Sequence, residues 1–360
     1  MPPARTPASP GAPRAAADAP WPGAAAPGGT APVLCGLGSW LPPRRVGNDE
    51  LSRELDTSDE WIRSRTGIGH RHVADAATAT SDLAVEAGRR ALKSAGTERV
   101  DAVVLATTTP DRPCPATAPL VAAQLGLGTV PAFDVGAVCT GFLYALAAGS
   151  GLIALGTARR VLVIGADKYS GILDPRDRST RVIFGDGAGA VVLRAGDPAE
   201  PGALGPPLLG SDGTGADLVA IRSGGSREPL REAADGAADP YFRMDGRTVF
   251  RRAVERMADT SLAAAERAGW AAGDIDRLVA HQANLRILHA VADRMRLPRD
   301  RCAVHLDQVG NTAAASIPLA LAHAVAGGRL AAGHRTVLTA FGGGLTWGAC
   351  ALHWPELTPV

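Results

Sequence analysis

The 360 residues are 46% hydrophobic and 20% charged, enough for one large layered unit or two ordinary domains around a substantial core, which excludes a disordered chain. Lys and Arg number 37 against 36 Asp and Glu, a formal net charge of +1, so no bulk attraction to nucleic acid or anionic lipid is implied and any anionic ligand must meet a local basic patch. The five cysteines form no CxxC pair and the eight histidines do not group, which argues against a disulfide framework or a metal site and makes a reducing cytoplasm the expected compartment.

Residues 1–31 hold 11 Ala, 8 Pro and 4 Gly and read as an unfolded extension. From residue 32 onward, apolar β-rich runs alternate with helical patterns, the signature of a layered α/β protein. The first half predicts strands at 33–37, 102–107, 132–138, 161–165 and 190–193, with helices at 82–95, 117–125 and 140–155. Within it, residues 135–158 carry no charge but contain five glycines; a buried strand followed by a buried helix explains them better than a membrane span. Residues 197–217 and the Gly-rich, acidic stretch 224–240 lack periodicity and read as a linker and a loop placed to cover a pocket. The second half predicts strand 218–221, helix 247–268, strand 277–280, helix 285–295, strand 303–306, helix 312–326 and strands 336–340 and 349–353. Each half runs strand, helix, strand, helix, strand, which suggests a duplicated architecture.

Four segments could carry chemistry. Cys139, in PAFDVGAVCTGF, stands where a strand gives way to a helix; the helix N-terminus and its free N–H groups favour a thiolate, although a buried Cys can equally be packing. LVAHQANLRI delivers His281, Asn284 and Arg286 at a strand end, the side on which α/β proteins bind ligands; capping is the plainer role for Asn284. Asn311 follows Gly310 ahead of an Ala-rich helix. FGGGLTWG has three glycines after an apolar strand, so its backbone must turn sharply or approach something closely, and an N–H there can serve an oxyanion. GDGAGA precedes a strand and does not follow one, which argues against a phosphate loop. One Cys, one His, one Asn and a glycine turn together suit a thioester-handling site.

At these residues the chain resembles the β-ketoacyl-acyl carrier protein synthase III family of the thiolase fold. The likeness runs from about residue 32 to the end through DTSDEWIRSRTGI, the Cys139 segment, DRSTRVIFGDGAGA, HQANLRI, GNTAAASIP and FGGGLTWG. It implies a five-layered αβαβα fold of two similar halves, 32–205 carrying the nucleophile and 206–360 carrying His and Asn, usually as a homodimer. It also implies a ping-pong condensation: Cys139 takes an acyl group from acyl-coenzyme A and passes it to a decarboxylating malonyl-acyl carrier protein, with no further cofactor. His281 and Asn311 match the pair that stabilises the enolate, and the N–H groups of Cys139 and Gly343 match the oxyanion hole. Trp61 and Arg178 match positions that sandwich the adenine. Arg65 and Arg286 match basic residues around the tunnel mouth and carrier-protein surface, and Asn284 is expected to orient the site indirectly, through contact with the residues that touch substrate or through water.

Two departures stand out. Val138 and Thr140 flank the nucleophile where small alanines are common in the family. Cys114 lies in the loop that a neighbouring subunit of the family inserts into the acyl pocket, often with a bulky aromatic, so a wider pocket is expected. The rival readings are an acyltransferase delivering to a hydroxyl or amine without decarboxylation, a Cys/His thioester hydrolase, and a non-catalytic scaffold. The first has no need of Asn311, the second lacks a carboxylate to activate water, and the third has no reason to keep the whole constellation.

Overall fold

The computed structural model describes residues 29–230 and 238–360. Strands Ala31–Trp40, Gly187–Gly196, Arg160–Asp167, Ala102–Ala106 and Ala132–Val135 lie side by side in that order; the first two junctions are antiparallel and the last two parallel. Every residue of Ala102–Ala106 is buried, as an unbroken apolar run in a parallel sheet covered on both faces requires. The second sheet repeats the plan: Leu208–Ser211, Thr346–His353, Arg335–Gly342 and Arg277–Ala280 are joined antiparallel, antiparallel and parallel. A parallel bridge from Leu278 to Cys302 stands where its fifth strand would lie.

Side-chain alternation along these strands divides the core. Val104, Val163 and Leu193 of the first sheet, with Leu338, Cys350 and Leu352 of the second, enclose helices Gly141–Ala154 and Ser316–Ala326 in one cluster. On the outer face of the first sheet, Val103, Leu162 and Val192 pack on helices Thr80–Ser94 and Ala118–Gln124. On that of the second, Leu278, Val337 and Ala349 pack on Gly246–Arg267 and Leu285–Met295. The result is five layers, αβαβα. The two central helices carry no Asp, Glu, Lys or Arg because sheets cover them on both sides. That accounts for the uncharged run at 135–158, and no helix among the described residues is long and apolar enough to cross a membrane. A Cβ at Gly165 would stand 2.3 Å from the Ala314 carbonyl oxygen, so glycine there lets the turn ahead of the second central helix sit directly on the first sheet.

Four expectations need correction. The strand expected at 303–306 is only the Cys302 bridge: the Gln282 side chain donates to the Ala303 carbonyl at 3.1 Å and accepts from His305 and Leu306 N–H at 2.9 and 3.3 Å, taking up the groups a ladder would use. The linker at 197–217 contains the edge strand Leu208–Ser211, masked in sequence by two prolines before it and by Gly210, whose Cβ would strike the Trp347 ring at 2.5 Å. The strand expected over 132–138 ends at Val135. The extension expected over 1–31 falls outside the described residues up to residue 28, and Ala31 is already paired with Gly196. Of the covering loop, residues 231–237 also lie outside the described set.

Candidate active site

The first sheet delivers the nucleophile. After strand Ala132–Val135 the chain makes a tight turn at Val138–Thr140 and enters helix Gly141–Ala154. Val138 has φ +46°, a strained conformation for a β-branched residue, of the kind retained where geometry matters more than local stability. Cys139 follows it and is buried, 9% exposed. The turn is tied to the glycine hairpin of the other half: Thr140 Oγ1 donates to the Thr346 carbonyl at 3.1 Å, and Thr346 Oγ1 to the Ala137 carbonyl at 3.3 Å. A Cβ at Gly342 would sit 2.9 Å from Cys139 N, which is why the hairpin begins with glycine. Among the described residues neither the Cys139 nor the Gly343 backbone N–H donates to another residue.

The second sheet delivers the polar pair. Strand Arg277–Ala280 ends at His281, whose N–H donates to the Thr339 carbonyl at 2.7 Å and whose Nδ1 lies 2.6 Å from Ser316 Oγ. Asn311 is pinned by its backbone, with N–H donating to the Ile183 carbonyl and C=O accepting from Gly185 N–H, while its Oδ1 accepts from Ala313 N–H at 2.9 Å. Its Nδ2 makes no hydrogen bond among the described residues. Cys139, His281, Asn311 and Gly343 all line one cavity of about 150 Å³, whose remaining wall is largely apolar, from Phe184, Phe242, Phe250 and Met257 among others.

Burial sets the charge states. Loss of water pushes His281 down to about 3, so the imidazole is neutral at any physiological pH. The same burial, reinforced by the nearby Asp167 carboxylate, pushes the Cys139 thiol well above its ordinary range. This corrects the expectation of a resting thiolate: a helix N-terminus contributes roughly 0.3–1 kcal/mol, less than one pKa unit, and desolvation is larger. Asp167 is itself raised to about 7 by burial, against hydrogen bonds from Thr108, Ala314, Thr109 and Thr107.

Outside the cavity lining, the Arg178 guanidinium lies 5.3 Å over the Trp61 ring and bonds the Asp56 carbonyl. Arg65 and Arg286 are exposed, and Arg286 stands 5.9 Å over Phe250, a cavity residue. Asn284 lines the cavity, but both ends of its amide are used structurally: Oδ1 caps the helix at Arg286 N–H and Nδ2 donates to the Arg65 carbonyl at 3.0 Å. Cys114 is exposed and does not line the cavity of its own chain. Three features escaped the sequence reading. Tyr169, stacked on Phe184 at 4.4 Å and edge-on to Phe242 at 5.2 Å, packs in one apolar cluster with Cys139. Ser316 meets the His281 ring and Asp167 accepts from Ala314 N–H, in the turn after Asn311; the apolar helix around Ser316 and the strand ending in Asp167 gave no signal for either.

Comparison with known proteins agrees with this geometry. Family models described as 3-oxoacyl-[acyl-carrier-protein (ACP)] synthase III and its C-terminal part match residues 133–213 and 265–354. The chain is 63% identical to β-ketoacyl-[acyl-carrier-protein] synthase III 3 of Streptomyces coelicolor, over 92% of this chain and 99% of that protein. Among solved structures, 3-oxoacyl-(acyl carrier protein) synthase III, FabH, from Pseudomonas aeruginosa superposes with a TM-score of 0.86 at 53% identity, covering 91% of this chain and all of that one. The priming β-ketosynthase of the R1128 polyketide pathway gives 0.84 at 35%, covering 90% and 96%. With this identity across nearly the whole chain and a thiol, an imidazole and an amide on one cavity, the protein belongs to the β-ketoacyl-[acyl-carrier-protein] synthase III family of thiolase-fold condensing enzymes.

Proposed function

We propose that Cys139, His281 and Asn311 are the catalytic residues of an initiating condensation in which an acyl group from acyl-CoA is joined to malonyl-acyl carrier protein. The observation that carries this assignment is their meeting on one largely apolar cavity with two N–H groups that donate to no other described residue. In the first half-reaction Cys139 Sγ attacks the acyl thioester, the C–S bond to coenzyme A breaks, and the thiol proton leaves with the coenzyme A sulfur. The N–H groups of Cys139 and Gly343 stabilise the tetrahedral oxyanion. The need to move that proton follows from the raised thiol. In the second, the malonyl C–C bond breaks, carbon dioxide departs, and the enolate oxygen takes hydrogen bonds from His281 Nε2–H and Asn311 Nδ2. The enolate carbon attacks the acyl-Cys139 carbonyl, the C–S bond breaks to release 3-oxoacyl-carrier protein, and the departing Cys139 thiolate takes up one proton from solvent to restore the thiol. A neutral imidazole suits this step, since it donates without drawing the substrate carboxylate into an ion pair that would oppose its loss.

Trp61 and Arg178 hold the adenine, Arg65 and Arg286 attract phosphate and carrier protein, and Asn284 braces the mouth. The chain divides into halves at 205/206 and works in the cytoplasm without a cofactor. Association as a homodimer is supported by the outer edge of strand Ala132–Val135, which among the described residues pairs on one side only, and by exposed Phe133 on it; Cys114 reaches an acyl pocket only from a second copy. Carbon dioxide release from malonyl-carrier protein, dependent on His281 and Asn311 and followed by a 3-oxoacyl product on acyl-Cys139, tests the assignment. Acyl transfer to a hydroxyl or amine with no carbon dioxide would replace it.

A further inference from the structure

The buried carboxylate of Asp167 bonds none of the reacting groups above, yet four hydrogen bonds hold it in place. It ends strand Arg160–Asp167 with no exposure. Its Oδ1 accepts from Thr108 N–H at 2.7 Å and from the hydroxyls of Thr107 and Thr109, both at 3.2 Å, and its Oδ2 accepts from Ala314 N–H at 3.0 Å. Ala314 belongs to the segment that supplies Asn311 at one end and Ser316 at the other. Inside that segment Ala313 has φ +47°, a costly conformation for a residue with a Cβ that persists only when its surroundings over-determine it. Two bonds bracket the strained residue: Ala313 N–H donates to Asn311 Oδ1 and Ala314 N–H to Asp167. The first occupies the amide oxygen and leaves Nδ2 for the substrate. At the far end, Ser316 Oγ meets His281 Nδ1; when the hydroxyl donates there, the neutral ring carries its proton on Nε2, the only tautomer able to donate to an enolate.

We propose that Asp167 is a positioning residue for decarboxylation: by fixing the turn at Ala314 it sets Asn311 directly and His281 through Ser316, so one buried carboxylate of the first half aligns both donors of the second. This rests on the condensation reading. In Asp167→Asn one oxygen becomes an NH2 that must face a backbone N–H in either orientation, so the turn shifts, whereas the Cys139 turn and Gly343 have no bond to this carboxylate. The expected result is a loss of about 30-fold or more in carbon dioxide release from malonyl-carrier protein, while loading of Cys139 from acyl-CoA, read by rapid-quench intact mass, slows by less than about 3-fold, because removing the carboxylate that raises the thiol works in favour of loading. Ser316→Ala is expected to give the same split. In 15N-histidine spectra, with the His281 signal assigned by its loss in His281→Asn, the Nε2–H tautomer of the native protein is expected to become mixed in both variants. If Asp167→Asn fails to fold, Thr107→Val removes one of the four bonds and is expected to show a smaller loss of the same kind. Equal loss in both half-reactions, or native carbon dioxide release and an unchanged tautomer in these variants, would overturn the proposal while leaving the condensation intact. A native protein that neither loads nor decarboxylates overturns both.

Discussion

Gly342→Ala perturbs the site by one methyl group, and the structure says where that methyl goes. The added Cβ would lie 2.9 Å from Cys139 N, 3.0 Å from Thr140 N and 3.0 Å from Thr140 Oγ1, against roughly 3.5–4.0 Å for comfortable contact. Two of these atoms are backbone, so relief requires a displacement of about half an ångström between the glycine hairpin and the Cys139 turn. The Cys139 N–H is one of the two oxyanion donors in the proposed mechanism, and losing such a donor costs a factor of about 100–1,000 in rate. Overpacking adds about 1–3 kcal/mol of destabilisation. Acyl-CoA loading followed by intact mass should therefore slow by about 100-fold, with a few degrees lost in thermal midpoint. Gly136→Ala is the matched control, since a Cβ there meets nothing within 4 Å, and it should load at the native rate. Native loading by Gly342→Ala would refute the assignment of the Cys139 N–H to the oxyanion hole.

Asn311→Ala should load Cys139 normally while carbon dioxide release from malonyl-carrier protein falls about 100-fold, measured by trapping the gas; equal loss of both half-reactions would count against the assigned role. Trp61→Ala should raise KM for acyl-CoA about 10-fold, the usual worth of one base stack, and leave KM for the matching acyl-pantetheine unchanged. The native Arg178–Trp61 gap of 5.3 Å must widen to about 7 Å to admit a base between two contact layers, so the Arg178 contact to Asp56 should loosen as ligand binds. Acid should destabilise the fold through His281. Its folded pKa of about 3 lies below the ordinary 6.5, so the stability it contributes is present above pH 6.5 and is lost as pH falls toward 3, at about 1.4 kcal/mol per pH unit. In guanidinium titrations between pH 6 and pH 4, His281→Asn should show a slope shallower by that amount.

The alternation of apolar strands and helices was legible because each sheet is covered on both faces, so its strands read as unbroken apolar runs and the two central helices as uncharged ones. The reading failed where side chains substitute for backbone. Gln282 bonds the groups of residues 303–306 that would have paired, and nothing in VHL announces that a glutamine twenty residues earlier will do so. Leu208–Ser211 is a short edge strand behind two prolines, too brief for its own periodicity to register. At the site, Cys139, His281 and Gly343 were legible from their places just after strands and Asn311 from its place between a glycine and an Ala-rich helix, whereas the cavity walls Phe184, Phe242 and Phe250 were not. Asp167 and Ser316 were not, because they act through a turn more than a hundred residues away from Asp167 in sequence, and a carboxylate closing a strand is indistinguishable from a surface residue until the fold buries it. The thiolate expectation failed for a related reason: a helix start is visible in sequence, and the burial that outweighs it is not.

Exposure of the purified protein to an acyl-CoA, followed by malonyl-carrier protein, with intact mass and peptide mapping at each stage, decides whether Cys139 carries the acyl group through a decarboxylative condensation. The expected result is one acyl adduct on Cys139 that disappears on addition of malonyl-carrier protein as carbon dioxide and a 3-oxoacyl-carrier protein appear together. An adduct confined to another residue, or one on Cys139 that malonyl-carrier protein removes with no carbon dioxide released, would contradict it.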